Sequence, residues 1–470
     1  MRGIISSYTG LKNLFSLLFI FSVLFLILFT DIGEGTFFGQ EQQLTLSLLL
    51  IAVYVWIIAP MPLGAGSILI LALMMVFGLV DNTEEAFEGF LSSALYFIFA
   101  LSVLSKVFVN VGIDQWIAGM IRKLSRNSVM KSVIGLPVFI LLLPIVLPSA
   151  IARFKMLQPL VGSLNERYGF SPDSTYHKYS LFIIGMLNQL STMVVVTGGG
   201  FSVLTVQLLR DFGVADIGWT EWFLLLAPPV WIGALIFVLI LLVYLRVTGG
   251  HILTDESADE VSETAALVTY SKEFIIVLVG FVFMILAWIL LDQNTVPLLL
   301  PPMLLIAVLA LPGINLITSQ VIRGFDWENF LLLGTSFSLG LLLAENDTAD
   351  AMARVLMMAV PENSGILFKV VVFSIIVFIL RFMFIVPSSA IIVIFPIVIS
   401  YADLIGVADL QLSMLLFVII GSMLILPIHT PTVYLAYQTG VIKNKDQLII
   451  GLLGSLIMTG IAIVALFLYW

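Results

Sequence analysis

The chain has 470 residues, of which 61% are hydrophobic and only 10% are charged, and its mean hydropathy is +1.16. Soluble domains are nearer half apolar and a quarter charged, so this composition excludes a soluble protein and predicts an integral membrane protein. The net charge of −9 says little about partners, because the sidedness of charge matters more than its sum in a membrane protein. The absence of cysteine excludes disulfides, thiolate metal sites and cysteine catalysis.

Apolar runs long enough to span a bilayer recur along the whole chain. A transmembrane helix needs about 20 apolar residues, and about 17 is a practical minimum. The first run follows Arg2 and Lys12 without a signal-cleavage pattern, so it is interpreted as a retained span. Eleven crossings are predicted, at about 13–30, 44–60, 64–80, 91–110, 177–209, 221–245, 273–291, 296–312, 328–344, 411–440 and 448–469.

Two further apolar stretches, 132–166 and 364–400, do not fit as simple crossings. Each carries proline and serine near its middle, at Pro148-Ser149 and at Pro387-Ser388-Ser389. A re-entrant hairpin fits this pattern, because irregular backbone at membrane depth is tolerated where protein or water covers it. The sequence therefore predicts an all-α polytopic protein with about eleven transmembrane helices and two re-entrant hairpins.

Charge sidedness supports counting both stretches as hairpins. With the N-terminus inside, only Arg210, Arg354 and Lys369 among the loop cations lie outside, which obeys the positive-inside rule. The expected location is the cell (inner or plasma) membrane, with the N-terminus in the cytoplasm and the C-terminus outside. An ordinary bundle of twelve or thirteen spans remains the alternative.

The two halves of the chain are similar to each other. The longest polar connection, "GGHILTDESADEVSETAALVTYSK" from Gly249 to Lys272, is acidic and lies near the midpoint. "PLGAGSILILALMMVFGLVDN" before it is echoed by "PLLLPPMLLIAVLALPGINLI" after it, and in each half a hairpin is followed by a broken span. An odd number of crossings separates equivalent points, so the repeats have opposite orientation. Inverted repeats with discontinuous helices are typical of secondary transporters, whose sites lie where the breaks meet.

The two broken spans are "NQLSTMVVVTGGGFSVL" within 177–209 and "LILPIHTPTVYLAYQTG" within 411–440. Three consecutive glycines, Gly198 to Gly200, weaken a helix, and Pro427 and Pro431 each remove a helix hydrogen bond. Freed carbonyls can bind cations, while helix N-termini and hydroxyls can bind carboxylate or sulfate. Glycine-rich helix contacts and proline kinks are also common in membranes, but the repetition of hairpin and break in both halves favours a functional interpretation.

Two arginines lie near the hairpin tips. Arg153 follows the first tip and Arg381 precedes the second, and cations at membrane depth usually face a cavity or a partner. Arg153 is interpreted as a counter-charge for an anion, with snorkelling or pairing to a backbone carbonyl as the alternative. Lys155 and Arg381 are interpreted as structural. His429 can donate to a substrate or titrate, although a buried neutral histidine fits equally well.

These features resemble the divalent anion/sodium symporter family, and the resemblance covers nearly the whole chain. Its citrate and oxoglutarate/malate translocators carry Pro-Ser-Asn-Thr-Ala-Arg at the first tip. The matching residues are Pro148, Ser149, Ala152 and Arg153. Ala150 and Ile151 replace the Asn and Thr. The second tip keeps Pro387, Ser388 and Ser389 without an Asn, and "TPT" at 430–432 is similar to the family's Thr-Pro-Pro.

The resemblance implies a homodimer in a lipid bilayer, with a scaffold part and a transport part that moves like an elevator. It assigns 1–130 and 272–361 to the scaffold, 131–246 and 362–470 to transport, and 247–271 to a cytoplasmic linker. The expected substrate is a small di- or tricarboxylate or sulfate, carried without any cofactor but with Na+ as coupling ion, and no nucleic acid is expected. The expected substrate-binding residues are Ser149, Arg153, Thr197, Ser388, Ser389, Thr430, Pro431 and Thr432. The expected Na+ ligands, by backbone or hydroxyl oxygen, are Ser149, Ala150, Gly198, Gly199, Ser388 and His429.

The coupling ion and the functional class of the protein both have alternatives. The tip asparagines of the family are missing, which leaves two alternatives to Na+ symport. One is an anion exchanger and the other is an H+-coupled transporter, with Arg153 replacing the charge of bound Na+. A cation/proton antiporter or an arsenite-type permease is a rival interpretation. An antiporter for cations would need buried carboxylates, whereas Asp173, Asp403 and Asp409 lie at predicted span ends. An intramembrane enzyme is disfavoured, because the chain has no H-E-x-x-H zinc motif. A relative that binds or senses anions without transporting them remains an alternative.

Overall fold

The computed structural model describes residues 38–113, 115–117, 119–120, 128–249, 271–291, 296–358, 360–361, 363–382, 384 and 386–470. The predicted first span and most of the predicted linker lie outside the described residues. Within these ranges every regular element is helical, which confirms the predicted all-α class.

The helices are numbered here in chain order. The α-helices are α1 (Gln40–Ile57), α2 (Leu63–Val76), α3 (Thr83–Ala86), α4 (Ser93–Asn110), α5 (Val129–Val146), α6 (Ala150–Arg167), α7 (Thr175–Phe182), α8 (Asn188–Ser191), α9 (Gly200–Asp211), α10 (Trp219–Gly249), α11 (Lys272–Leu290), α12 (Leu300–Leu309), α13 (Ser319–Arg323), α14 (Trp327–Glu345), α15 (Thr348–Met358), α16 (Ile366–Arg381), α17 (Pro387–Ile405), α18 (Asp409–Gly421), α19 (Pro431–Gln438) and α20 (Asn444–Leu468). Short 3₁₀ turns cover Glu88–Leu91, Thr192–Val194, Val196–Gly198 and Pro427–His429, and a π-helical stretch covers Ile183–Leu187.

Seven helices among the described residues are long and apolar enough to cross a membrane. They are Ser93–Asn110, Val129–Val146, Trp219–Thr248, Lys272–Leu290, Trp327–Glu345, Pro387–Ile405 and Asn444–Leu468. Three shorter helices, α2, α12 and α18, are also apolar. The total of eleven crossings remains a prediction.

The chain forms two compact units, each built from two separate stretches. Unit 1 comprises the described residues up to Leu95 together with Asp326–Leu416, and unit 2 comprises those of Tyr96–Phe325 together with Phe417–Trp470. Both stretches predicted as hairpins consist of two helices around a break, the first in unit 2 and the second in unit 1. The division into scaffold and transport parts remains a prediction.

Helix α14 is central to unit 1, where it packs against α2, α17 and the 3₁₀ turn that contains Gly89. Gly89 donates its N–H to Ser338 Oγ at 3.1 Å. A Cβ at Gly89 would lie 2.2 Å from the Ser338 nitrogen, so only glycine permits this approach. Close backbone approach at small residues is a common way to pack helices within a membrane.

Unit 2 is organised around residues 183–191, which are buried throughout. Helices α5, α6 and α19 all pack against this stretch. The residues of the first predicted hairpin, in α5 and α6, therefore pack directly on the first predicted broken span. Elsewhere in unit 2, helix α10 packs along α20, where a Cβ at Gly454 would lie 3.0 Å from the Phe237 ring.

Candidate functional site

The first break, residues 147–149, separates α5 from α6. Leu147 is extended, with φ −129° and ψ 95°, and Pro148 follows it. Ser149 is also extended and caps α6, because its Oγ accepts a hydrogen bond from Ala152 N at 3.2 Å. Proline cannot continue the hydrogen-bond ladder of α5, and serine is a preferred N-cap, so these two residues account for the break.

Arg153 lies one turn beyond the break and has no exposed surface. Its Nε donates to Asn188 Oδ1 at 2.7 Å, and its Nη1 donates to the carbonyl oxygen of Leu147. Asn188 in turn donates its Nδ2 to the Ala150 carbonyl oxygen at 3.0 Å. The guanidinium thus joins both sides of the first break to α8.

The third nitrogen of the guanidinium, Nη2, is buried without a hydrogen-bond partner among the described residues. Both partners of Arg153 are neutral oxygens, and no carboxylate pairs with it in the described part of the chain. A buried charge without an opposite charge costs several kcal/mol. The exposed Lys155, two residues away on α6, carries no such cost. Arg153 is therefore a buried positive charge with one donor group, Nη2, that the described residues leave unused.

The first broken segment, residues 175–211, changes conformation several times before α9. Val195 and Gly199 are extended, with φ −120° and −165°, and they flank the 3₁₀ turn Val196–Gly198. Thr197 accepts a hydrogen bond on Oγ1 from Trp219 Nε1 at 3.4 Å. A Cβ at Gly198 would lie 2.5 Å from the Thr192 carbonyl oxygen. Glycine is required there by this close approach.

The second broken segment, residues 409–438, contains the second break at 422–430. Leu426 and Thr430 are extended, and Pro431 occupies the first turn of α19, where proline is well tolerated. His429 is buried, and its Nδ1 accepts from Leu426 N at 3.3 Å. Thr430 Oγ1 is buried without a hydrogen-bond partner among the described residues. Thr432 donates its Oγ1 hydrogen to Gly185 O at 2.8 Å, which ties α19 to the π-helical stretch.

Helix α20 satisfies the backbone groups that the second break releases. Ser455 Oγ accepts from Leu424 N at 3.0 Å and lies 2.9 Å from the Ser422 carbonyl oxygen. Gln447 Nε2 donates to the carbonyl oxygens of Leu424 and Ile425, at 2.8 and 3.4 Å. Unwound backbone at membrane depth needs such partners. The carbonyl oxygens of Ser422, Leu424 and Ile425 in the second break are therefore already engaged by side chains of the protein.

The predicted site residues divide between the units. Ser388 and Ser389 lie in unit 1, in the first turn of α17, and the others lie in unit 2. Ser389 Oγ is buried without a hydrogen-bond partner in the described residues, and it borders a cavity that is otherwise apolar. The break of the second hairpin precedes Pro387 rather than falling at the serines, because proline fits the first turn of a helix. Arg381 is fully buried and donates Nη1 to the Phe384 carbonyl oxygen.

In unit 2 the structure brings Ser149, Ala150 and Arg153 together with Asn188. Ala150 and Gly199 are half-buried, Gly198 and Thr197 are buried, and Pro431 is exposed. Sequence reasoning did not select Asn188, Gln447 or Ser455. Asn188 is the first residue of the quoted broken-span motif and an amide within an apolar run, which is the signal that could have selected it.

The fold and these broken helices are typical of a helical membrane transporter. Residues 11–470 match the family described as "Sodium:sulfate symporter transmembrane region". The chain therefore belongs to the sodium:sulfate symporter family. This membership identifies a multi-pass membrane transporter of anions, and it agrees with the interpretation that the protein is not an enzyme.

Individual proteins are also similar to the chain. An "uncharacterized transporter" of Haemophilus influenzae is 19% identical over 412 residues, which cover 86% of this chain and 87% of the relative. The crystal structure of the Alcanivorax borkumensis YdaH transporter matches with a TM-score of 0.56 at 14% identity. That match covers 90% of this chain and 97% of the YdaH chain, and it shows a shared fold.

Proposed function

We propose that the protein is a secondary active transporter that binds a small anion, a di- or tricarboxylate or sulfate, at the Arg153 guanidinium. The observation that carries this proposal is the Nη2 group, which is buried without a hydrogen-bond partner among the described residues. An oxygen of the anion accepts from Nη2 and neutralises a charge that the described residues leave uncompensated. Charge-assisted hydrogen bonds of this kind are about twice as strong as neutral ones.

The other predicted residues of unit 2 differ in whether their hydroxyl groups are free to bind the anion. Thr430 Oγ1 is buried with no hydrogen-bond partner in the described chain, so its hydroxyl is available to an anion. The Ser149 hydroxyl already caps α6, and the Thr197 hydroxyl accepts from Trp219. We therefore rank Arg153 and Thr430 above Ser149 and Thr197 as direct ligands in this unit.

Na+ is the proposed co-substrate, on the strength of the family to which the chain belongs. A specific observation favours anion exchange as the second candidate. The Leu147 and Ala150 carbonyl oxygens accept hydrogen bonds from Arg153 and Asn188, and Ser149 Oγ caps a helix. These oxygens at the first break are thus engaged by the protein's own donors, and the Arg153 guanidinium supplies positive charge there without a bound cation.

The topology proposed from the sequence has the N-terminus inside and the C-terminus outside. It requires residues 178, 244 and 446 at one surface and residues 225 and 470 at the other, and contacts within unit 2 agree with that grouping. Asp446 pairs with Lys178 at 2.9 Å and accepts from Tyr244 Oη at 2.7 Å. The proposed topology assigns all three residues to the inner surface. Trp470 Nε1 donates to Leu225 O at 2.8 Å, and both positions are expected outside. An elevator movement, a homodimer and a place in the citrate or oxoglutarate/malate branch belong to the same proposal.

Uptake into proteoliposomes tests the function. Labelled sulfate, succinate and citrate are offered with and without a Na+ gradient, and with or without unlabelled anion inside. Uptake that follows Na+ supports symport, and uptake that needs internal anion supports exchange. Arg153→Met should abolish either one, whereas Lys155→Met removes a nearby exposed cation and should retain it. Equal uptake by wild type and Arg153→Met would contradict the proposed site.

A further inference from the structure

Asn188 controls which donors of Arg153 remain available. The Nε and Nη2 groups lie on the same edge of a guanidinium, and this edge is the one that a carboxylate binds with two parallel hydrogen bonds. Asn188 occupies this edge with a single acceptor, Oδ1, which lies 2.7 Å from Nε. Nη2 stays without a partner in the described residues.

The orientation of the Asn188 amide is determined by its two partners. Oδ1 faces a donor, Arg153 Nε, and Nδ2 faces an acceptor, the Ala150 carbonyl oxygen, at 3.0 Å. Reversing the amide would place an N–H against Nε and an oxygen against a carbonyl. Asn188 is fully buried, so water does not compete for these groups. Asn188 therefore binds the guanidinium at Nε alone and adds no charge beside it.

The local fold explains how Asn188 reaches the first break. It follows the π-helical stretch Ile183–Leu187, whose wider turn re-aims the side chains that come after it. Gly185 within this stretch lets α19 approach, since a Cβ there would lie 2.8 Å from the Ala436 Cβ. Thr432 fixes the same stretch by its hydrogen bond to Gly185 O. The packing of α19 on this stretch therefore fixes the backbone that leads into Asn188.

We propose that Asn188 is a positioning and specificity-determining residue, which orients Arg153 through a neutral acceptor and so reserves Nη2 and the full positive charge for an anion of charge −2 or more. This inference rests on the proposed function, because it concerns the same Arg153 site. An aspartate at the same position would bind Nε and Nη2 together and cancel the charge. The choice of amide over carboxylate is therefore what makes the site an anion site.

Asn188→Asp and Asn188→Leu separate the charge from the packing. Both variants lose the hydrogen bond to the Ala150 carbonyl, but only Asn188→Asp adds a negative charge beside Arg153. Binding of labelled sulfate (charge −2) to purified protein in detergent is measured directly, and nitrate (charge −1) is measured by competition. We expect Asn188→Asp to weaken nitrate by about tenfold and sulfate by about 100-fold, because the Coulomb energy scales with the charge of the anion. Asn188→Leu should weaken both anions by one similar and smaller factor.

A merely structural role would affect both variants and both anions alike. Equal losses in the two variants, or equal losses of sulfate and nitrate in Asn188→Asp, would overturn the inference. Retention of wild-type sulfate affinity by Asn188→Asp would overturn it as well. These outcomes leave the proposed function standing as long as wild-type binding is lost in Arg153→Met. The thermal stability of each variant is recorded in parallel, and we expect Asn188→Asp to be at least as stable as Asn188→Leu, since a buried Arg gains an opposite charge.

Discussion

Gly198→Ala and Gly162→Ala make the same chemical change at two positions of unit 2, and the structure predicts opposite effects on stability. At Gly198 the new Cβ would lie 2.5 Å from the Thr192 carbonyl oxygen and 3.2 Å from the Thr192 carbonyl carbon. Both are backbone atoms, so the clash cannot be relieved by a side-chain rotation. At Gly162, within α6, a Cβ would meet nothing within 4 Å.

The magnitudes follow from these distances. Overpacking of a well-packed interior costs roughly 1–3 kcal/mol, and Gly198→Ala should lose at least this much because backbone must move. Replacing a helix-interior glycine by alanine without a clash gains roughly 0.5–1 kcal/mol. Thermal unfolding in detergent, followed by loss of the monodisperse peak in size-exclusion chromatography, measures both variants beside wild type. Unfolding of Gly198→Ala at or above the wild-type temperature, or a shift of both variants in the same direction, would refute the predicted backbone clash.

Three further predictions concern the second break and the sidedness of the chain. Gln447→Leu should lower the unfolding temperature, because the Leu424 and Ile425 carbonyl oxygens lose their donor. Each buried group left without a partner costs about 1–3 kcal/mol of stability. Unchanged stability would refute the role of α20 in satisfying the second break. Thr432→Val should cost about 0.5–1.5 kcal/mol through its lost bond to Gly185, while Thr432→Ser should restore it; equal stabilities of Val and Ser variants would contradict this. The chain has no cysteine, so Asp173→Cys and Ala215→Cys can be tested singly with an impermeant maleimide on intact cells. Only the cysteine at position 215 should react, and the opposite labelling would invert the proposed topology.

The class of the fold could be predicted from composition, and the breaks from proline and glycine. Pro148 with Ser149 marks a helix end and a helix start by local chemistry alone, which the structure bears out at the first break. The second hairpin shows where local reasoning stops. Pro387 begins α17 rather than interrupting a helix, and the same residue type favours either outcome.

The partners of the site residues could not be predicted in the same way. Arg153 could be selected from the sequence because a cation beside a helix break at membrane depth is costly and usually faces a cavity or a partner. Asn188 lies 35 residues further along the chain, and its contact with Arg153 depends on how α6 packs against the π-helical stretch. Gln447 and Ser455 likewise act on a break that precedes them in sequence. Such pairings arise from tertiary packing, which a single sequence does not display.

The most direct test of the central claim is an experimental structure with sulfate or selenate bound. We expect an anion oxygen within about 3 Å of Arg153 Nη2, the distance of a charge-assisted hydrogen bond. Nε and Nη1 should keep their bonds to Asn188 and to the Leu147 carbonyl oxygen. An anion bound elsewhere, with Nη2 still unengaged or paired to a group of the protein itself, would contradict the account.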